Sequence, residues 1–276
     1  MARTPELKNS NKHERPINTS EFRIHGDIEL LSGSFTTRSF APHFHDRYSL
    51  ILVEQGAGDY SYKDHDYLVE GGRLLILNPY DVHTGRAIKG SQWKFRSMYL
   101  PIELMESHTK VEGKIDSLSW KDRIVKQPQI VHRFAALHDR LLKEEEDISL
   151  ESQFLDFITE LRKVSFEALP SNAADKNTPL IAIQDYLHAH YAEQVQLTDL
   201  ERVSGWTKFH LIHRFTKRYG LSPHKYLLNL RIAAAKRLLR KRISATEVAY
   251  QTGFFDQSHF IKTFKGMTGI TPKAYG

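Results

Sequence analysis

The sequence contains no cysteine, which excludes disulfides, thiol nucleophiles and cysteine-ligated zinc and fits a reducing cytoplasm. No apolar run approaches the ~18 residues that a membrane helix requires. The N-terminus MARTPELKNSNKHERPINTS lacks the apolar core of a secretory signal, so a soluble, cytoplasmic protein is expected. Acidic residues are scarce in one place. Residues 178–276 hold 6 Asp and Glu against 15 Lys and Arg, a balance of +9, whereas residues 1–177 hold 27 against 24, a balance of −3. A basic C-terminal third beside a slightly acidic remainder points to one part of the chain meeting a polyanion. At 276 residues the chain exceeds most single cores, which predicts more than one domain.

The texture changes along the chain accordingly. Residues 1–20 are polar, without period, and read as a flexible arm. From Glu21 to about Pro101, short apolar runs such as SLILVE and RLLILNP alternate with the turn signals QGAG, KDHD, EGG and NPYD, the pattern of a small barrel or sandwich. From about Val131 the apolar residues Phe134, Leu137, Leu141 and Leu142, then Phe154, Leu155, Ile158 and Leu161, recur at helical spacing. Residues 21–167 therefore form one expected domain, with helices over about 131–167. A polar, proline-bounded linker is expected at 168–178, and an all-helical domain at 179–276.

Within the last domain the chain nearly repeats itself. HLIHRFTKRYGLSP (His210–Pro223) returns forty-nine positions later as HFIKTFKGMTGITP (His259–Pro272). Each copy reads as helix, tight turn and capped helix, at about 198–219 and 244–267. Gly205 and Gly253 mark the turns, Thr207 and Asp256 are expected N-caps, and Thr198-Asp-Leu-Glu201 and Ser244-Ala-Thr-Glu247 are expected capping boxes. Leu211 and Phe215, like Phe260 and Phe264, sit at i, i+4 and are expected to pack inward. The opposite faces carry Lys208, Phe209, Ile212 and His213 in the first copy, and Gln257, Ser258, Ile261 and Lys262 in the second. Basic, amide and methyl-contacting side chains on a short helix after a glycine turn suit a DNA major groove. A helix of about 19 residues joins the copies and spans roughly 28 Å, close to the ~34 Å between successive groove openings.

These residues carry a family resemblance. LTDLERVSGWTKFHLIHRFTKRYGLSPHKYLLNLRIAAAKRLL followed by ISATEVAYQTGFFDQSHFIKTFKGMTGITPKAY resembles the DNA-binding domain of the AraC/XylS transcription regulators. The resemblance implies that each second helix enters the major groove. It also implies double-stranded DNA and RNA polymerase as partners, a homodimer joined through the helices at 131–167, and no enzymatic activity.

The N-terminal domain offers His43-Phe-His45 and, after NPYDVH, His83. Alternate strand residues share a face, and three imidazoles could hold Fe, Mn, Zn or Ni with open positions. PHFHDRYSLILVEQGAGDY and VEGGRLLILNPYDVH resemble a cupin-like barrel and the sensor domain of many AraC-family members, which implies a small-molecule effector. The expected fold is thus α+β in two domains: a cupin-like β-barrel with following helices, then two helix-turn-helix motifs joined by a long helix. Effector contact is expected from Arg38, His43, His45, Tyr48, Tyr80, His83 and Arg96. No cofactor is expected, because the carboxylate that completes the ligand set of catalytic cupins has no counterpart here; Glu54 comes too late. If a metal binds, His43, His45 and His83 are its ligands. Two alternatives stand beside the effector-controlled regulator: a metal-dependent cupin enzyme with a DNA-targeting appendage, and a regulator without a small ligand. His13, His108 and His138 have no partners at suggestive spacing and read as solvent-facing or incidental.

Overall fold

The computed structural model describes residues 18–62, 65–107, 118–120, 123–143, 148–164, 166–168 and 179–276. The arm up to residue 17, the linker from residue 169 to 178, and His13 and His108 lie outside the described residues. The N-terminal domain begins with nine strands: β1 (Asn18–His25), β2 (Ile28–Phe35), β3 (Ser39–His43), β4 (Tyr48–Gln55), β5 (Ala57–Tyr62), β6 (His65–Glu70), β7 (Arg73–Leu77), β8 (His83–Ala87) and β9 (Trp93–Leu100). There follow α1 (Ile102–Ser107), β10 (Leu118–Trp120), β11 (Ile124–Val125), α2 (Pro128–Leu142), α3 (Ile148–Val164) and β12 (Phe166–Ala168). β1 takes the last three residues of the expected arm.

The strands form two facing sheets and a short ribbon rather than a closed barrel. The larger sheet runs β1-β2-β9-β4-β7-β11, the smaller β3-β8-β5-β6, and β10 pairs with β12. Alternation along each strand decides what faces what. On β4, Tyr48, Leu50 and Leu52 point to one layer and Ile51 and Val53 to the other. The first layer is capped by α2 and α3, whose Ile130, Phe134, Leu137, Leu141, Phe154, Phe157, Ile158 and Leu161 complete it. The second lies between the sheets, where Phe35, Tyr60, Trp93, Phe95 and Tyr99 supply the bulk. The apolar stripes of α2 and α3 are thus spent on their own sheet.

His138 corrects an expectation. It is completely buried on α2, and its Nε2–H donates to the Ser97 carbonyl at 3.3 Å. Burial lowers its pKa from the ordinary 6.5 to about 4; the Arg96 charge reinforces this, while the Ser97 bond, Asp139 and Glu54 oppose it without prevailing.

The C-terminal domain contains α4 (Pro179–Ala189), α5 (Leu197–Ser204), α6 (Lys208–Tyr219), α7 (Pro223–Arg240), α8 (Ala245–Gln251), α9 (Gln257–Thr268) and α10 (Pro272–Tyr275). The repeat is complete in register, since α6 and α9 are both twelve residues long and start forty-nine positions apart. Each helix-turn-helix has its own core: Leu200, Leu211, Phe215, Tyr226 and Leu230 in the first, and Ala235, Leu239, Val248, Phe260 and Phe264 in the second. The turns need glycine, because Gly205 and Gly253 take φ of +70° and +76°, a region costly for other residues. N-capping follows expectation at Ser244, which accepts from the Glu247 N–H at 3.2 Å, and at Asp256, which accepts from His259 N–H at 2.7 Å; the Glu247 carboxylate of the expected box accepts from Gln251 Nε2 at 2.8 Å instead. Two caps differ. Thr207 holds the N-cap position of α6 without a side-chain bond; Glu201 instead accepts the Lys208 N–H at 2.7 Å. α5 starts before Thr198, with Gln196 at the cap and Asp199 accepting the Gln196 N–H at 2.9 Å. Asp199 is the stronger acceptor, and it sits three residues after Gln196 rather than after Thr198. Among the described residues no helix is long and apolar enough to cross a membrane.

Because His138 stays neutral when folded but takes up a proton near pH 6.5 when unfolded, the unfolded state binds more protons below that pH. Stability should therefore fall as pH drops from about 6.5 toward 4, by up to about 1.4 kcal/mol per pH unit from this residue. Denaturant titrations of wild type and His138→Gln at pH 7 and pH 5 should show a smaller loss in the variant. Equal losses would show that His138 does not carry this dependence.

Candidate functional site

Two surfaces gather the functional candidates. The first comprises α6 and α9. Leu211 and Phe215, and equally Phe260 and Phe264, are fully buried, and this fixes the rotation of both helices. Lys208, Phe209 and His213 of α6 and Gln257, Ser258 and Lys262 of α9 are exposed. Phe209 is 78% exposed, with the Lys208 ammonium 5.5 Å from its ring centre. Ile212 and Ile261 are half-buried and lean on their respective cores. Each candidate on these helices is therefore at the outer face or its margin. α7, 18 residues long and hence about 27 Å, separates the two helices. Arg231 braces the halves from its middle, donating to the Tyr191 and Glu193 carbonyls at 2.8 and 2.7 Å while lying over the Phe254 ring.

The second surface is internal. Where the two sheets open, a cavity of about 50 Å³ is walled by Leu31, Phe40, Ile51, Trp93 and Phe95 and closed by the other domain through Lys236, Met267, Ile270 and Tyr275. His43, His45 and His83 all face it. β3 and β8 place His43 directly opposite His83, with ring centres 4.4 Å apart, and His45 lies 4.9 and 5.3 Å from the two. The His43 Nδ1–H donates to the Ala41 carbonyl at 2.8 Å and the His83 Nδ1–H to the Asp81 carbonyl at 2.9 Å. Burial drives the pKa of His43 to about 3 and of His83 to about 4, and holds His45 well below its ordinary value. All three are neutral. Burial also raises the Tyr60, Tyr99 and Tyr275 phenols, leaving them protonated as hydrogen-bond donors.

The other expected contacts fall elsewhere. Tyr48 is in the helix-covered layer. Arg96 is on the same side, because β9 turns Trp93, Phe95, Ser97 and Tyr99 toward the cavity and the even-numbered residues away; it pairs with Glu54 at 2.5 Å and with Asp139. Tyr80 stands at the domain junction, 5.6 Å from the His188 ring. Arg38 lies over Phe40 and beside Lys262 and Lys265 of α9.

Sequence reading missed the group at the cavity wall that joins the domains. Glu29 on β2 is fully buried, accepting from Lys236 Nζ on α7 at 2.9 Å, with Arg47 at 3.2 Å. Burial pushes its carboxyl upward, but Lys236 and Arg47 outweigh that and hold it below the usual carboxylate range. Around it, Asp46 pairs with Arg237 at 2.9 Å, Asn229 accepts the Phe44 N–H at 3.1 Å, and Phe22 stacks on Tyr275 at 4.8 Å. The available signal was β2's parity: Glu29 shares the face of Leu31, Gly33 and Phe35.

Comparison with known proteins identifies the two domains. Residues 25–158 match the AraC-like ligand binding domain, and residues 200–276 match a helix-turn-helix domain. An uncharacterized HTH-type transcriptional regulator, YbfI of Bacillus subtilis, is 32% identical over 87% of this chain and 88% of its own length. The chain belongs to the AraC family of transcription regulators. The HTH-type transcriptional activator RhaS of Escherichia coli is 25% identical over 85% of this chain and 86% of its own. ToxT of Vibrio cholerae shares the two-domain fold, with a TM-score of 0.57 at 14% identity over 89% of this chain and 96% of its own. This family member is thus a DNA-binding regulator with an N-terminal ligand-binding domain.

Glu29→Gln should leave Lys236 and Arg47 as buried cations without a counter-charge, at a cost of about 3–5 kcal/mol. The expected result is separation of the domains, read as a larger radius of gyration in solution scattering and a lower urea midpoint. An unchanged radius and midpoint would show that this ion cluster does not hold the domains together.

Proposed function

We propose that this regulator reads two successive major-groove segments of one duplex, through Lys208, Phe209, Ile212 and His213 on α6 and Gln257, Ser258, Ile261 and Lys262 on α9. The observation that carries the reading is the repetition of one outward-facing helix at each end of α7 in a domain of balance +9. Gln257 suits an adenine edge, and the isoleucines and Phe209 suit thymine methyl groups. Binding of the full chain to duplexes selected from a random library tests this. Gln257→Ala and Lys262→Ala should each weaken the selected site by about 1–3 kcal/mol, and affinity should fall steeply with salt. Both variants keeping wild-type affinity and site preference would remove these residues from base reading.

The reading includes a small-molecule effector in the cavity contacted by His43, His45 and His83. At about 50 Å³ the cavity is far below the ~300–1,000 Å³ of most ligand sites, so an effector enters by parting the domains. Apolar walls beside the Lys236 ammonium favour an organic acid, which competes with Glu29 for that cation. ToxT has been solved with an unsaturated fatty acid and with a naphthyl-butenoic acid; the cavity chemistry, not that likeness, supports an acid here. A thermal-shift screen of organic acids checks it. A ligand at a hundredfold over its Kd adds about 2.7 kcal/mol, and Lys236→Met should abolish the response. A response that survives Lys236→Met would place the acid elsewhere.

Against a cupin enzyme stands Glu54, which pairs with Arg96 and Lys94 on the helix-covered side, away from the histidines. The reading also carries cytoplasmic location, contact with RNA polymerase, and a homodimer through α2 and α3. Because the apolar stripes of those helices are covered, the dimer rests on their polar outer faces.

A further inference from the structure

We infer that His43, His45 and His83 form a binding site for one divalent transition-metal ion. The inference rests on the cavity described above but not on its being an effector site. One ring nitrogen from each histidine lies within 4.8 Å of the others. Two of the three orientations are already set. With the Nδ1–H of His43 given to the Ala41 carbonyl and that of His83 to the Asp81 carbonyl, each neutral ring keeps its lone pair on Nε2. Outer hydrogen bonds of this kind fix tautomer and direction in metal-bound histidines. Three neutral imidazoles brought this close in a largely buried space can each offer a nitrogen lone pair to one shared cation.

The donor set selects the class of ion. Imidazole nitrogen suits Zn, Fe, Ni and Cu, whereas Mg and Ca demand oxygen. Bonds of about 2.0–2.1 Å put tetrahedral nitrogens about 3.4 Å apart, so the widest pair draws in by roughly an ångström and a half. The Lys236 ammonium reaches the same cavity, but Glu29 holds it at 2.9 Å and offsets its charge. Three ligands leave a coordination position open toward the cavity for water or an anionic group.

The test uses the full chain, freed of any histidine tag and stripped with chelator. Co²⁺ is titrated against its visible absorption, followed by Zn²⁺ competition, with Mg²⁺ as control. The expected result is one Co²⁺ per chain, displaced by Zn²⁺ and not by Mg²⁺. His45→Gln and His83→Gln should each lower affinity about tenfold or more, while His132→Gln on the exposed face of α2 leaves it unchanged. If either cavity variant fails to fold, X-ray absorption of the Zn-loaded wild type decides: imidazole nitrogens at about 2.0–2.1 Å support the site, and an oxygen-only shell overturns it. Absence of saturable Co²⁺ uptake, or equal uptake by the cavity variants in folded form, also overturns it. Operator binding measured on the same samples reports separately on the regulator, so a failed metal site and a failed DNA reading are distinguishable.

Discussion

A carboxylate with no exposed surface governs how the two halves of this molecule meet. Glu29 sits on a strand of the sensor, and two of its counter-charges differ in origin: Arg47 from the same domain and Lys236 from the helix that joins the DNA-reading heads. Removing such charges from water costs several kcal/mol per ion, so Glu29 is stable in place only while both partners are present. Arg47 also donates to the Asp27 carbonyl and anchors the cluster to its own strand turn. Docking of the second domain therefore completes an electrostatic arrangement that the first cannot complete alone. The neighbouring contacts, Phe22 on Tyr275 and Phe44 on Tyr226, bury apolar surface around it and exclude the water that would weaken it.

The cavity inherits this geometry. Its histidine wall belongs to β3, the β3–β4 turn and β8, and its lid belongs to α7, α9 and α10. Because Glu29 and Lys236 both line it, a ligand that displaced Lys236 from Glu29 would draw on the same free energy as docking, and each would alter the other.

Much of the architecture was legible in the sequence because it rests on local rules. The repeat, the two glycine turns, the caps at Ser244 and Asp256 and the inward pairs Leu211/Phe215 and Phe260/Phe264 all follow from short-range spacing. Within the sensor, strand texture was readable, but pairing between strands was not, and among the described residues the expected barrel is two separate sheets. The three histidines were found because they are chemically conspicuous. Arg96 and Tyr48 were misplaced for a simple reason: conspicuous chemistry was weighed without strand parity, which puts both on the helix side. Tyr80 and Arg38 border the other domain, and Glu29 and Lys236 were missed altogether. They lie 207 positions apart, and no local pattern announces that two ordinary surface-type residues bury one another.

α7 shows how such a contact could reach both heads at once. Its Asn229, Lys236, Arg237 and Arg240 recur at helical spacing on one stripe, and all four touch the sensor. Other faces of the same helix serve the heads. Tyr226, Leu227 and Leu230 enter the first core, and Ile232, Ala235 and Leu239 enter the second. A helix packed on three sides cannot shift toward or away from the sensor without carrying both heads, and Arg231 ties the first head's α4–α5 connection to the helix between them. The spacing of α6 and α9 is then set by the rod they pack against. What docking can change is the presentation of the pair to DNA: Arg38 of the sensor stands beside Lys262 and Lys265 on α9, close to the face that would enter the groove. On the proposed reading, control would act on access and orientation of two heads moving together, rather than on the distance between them.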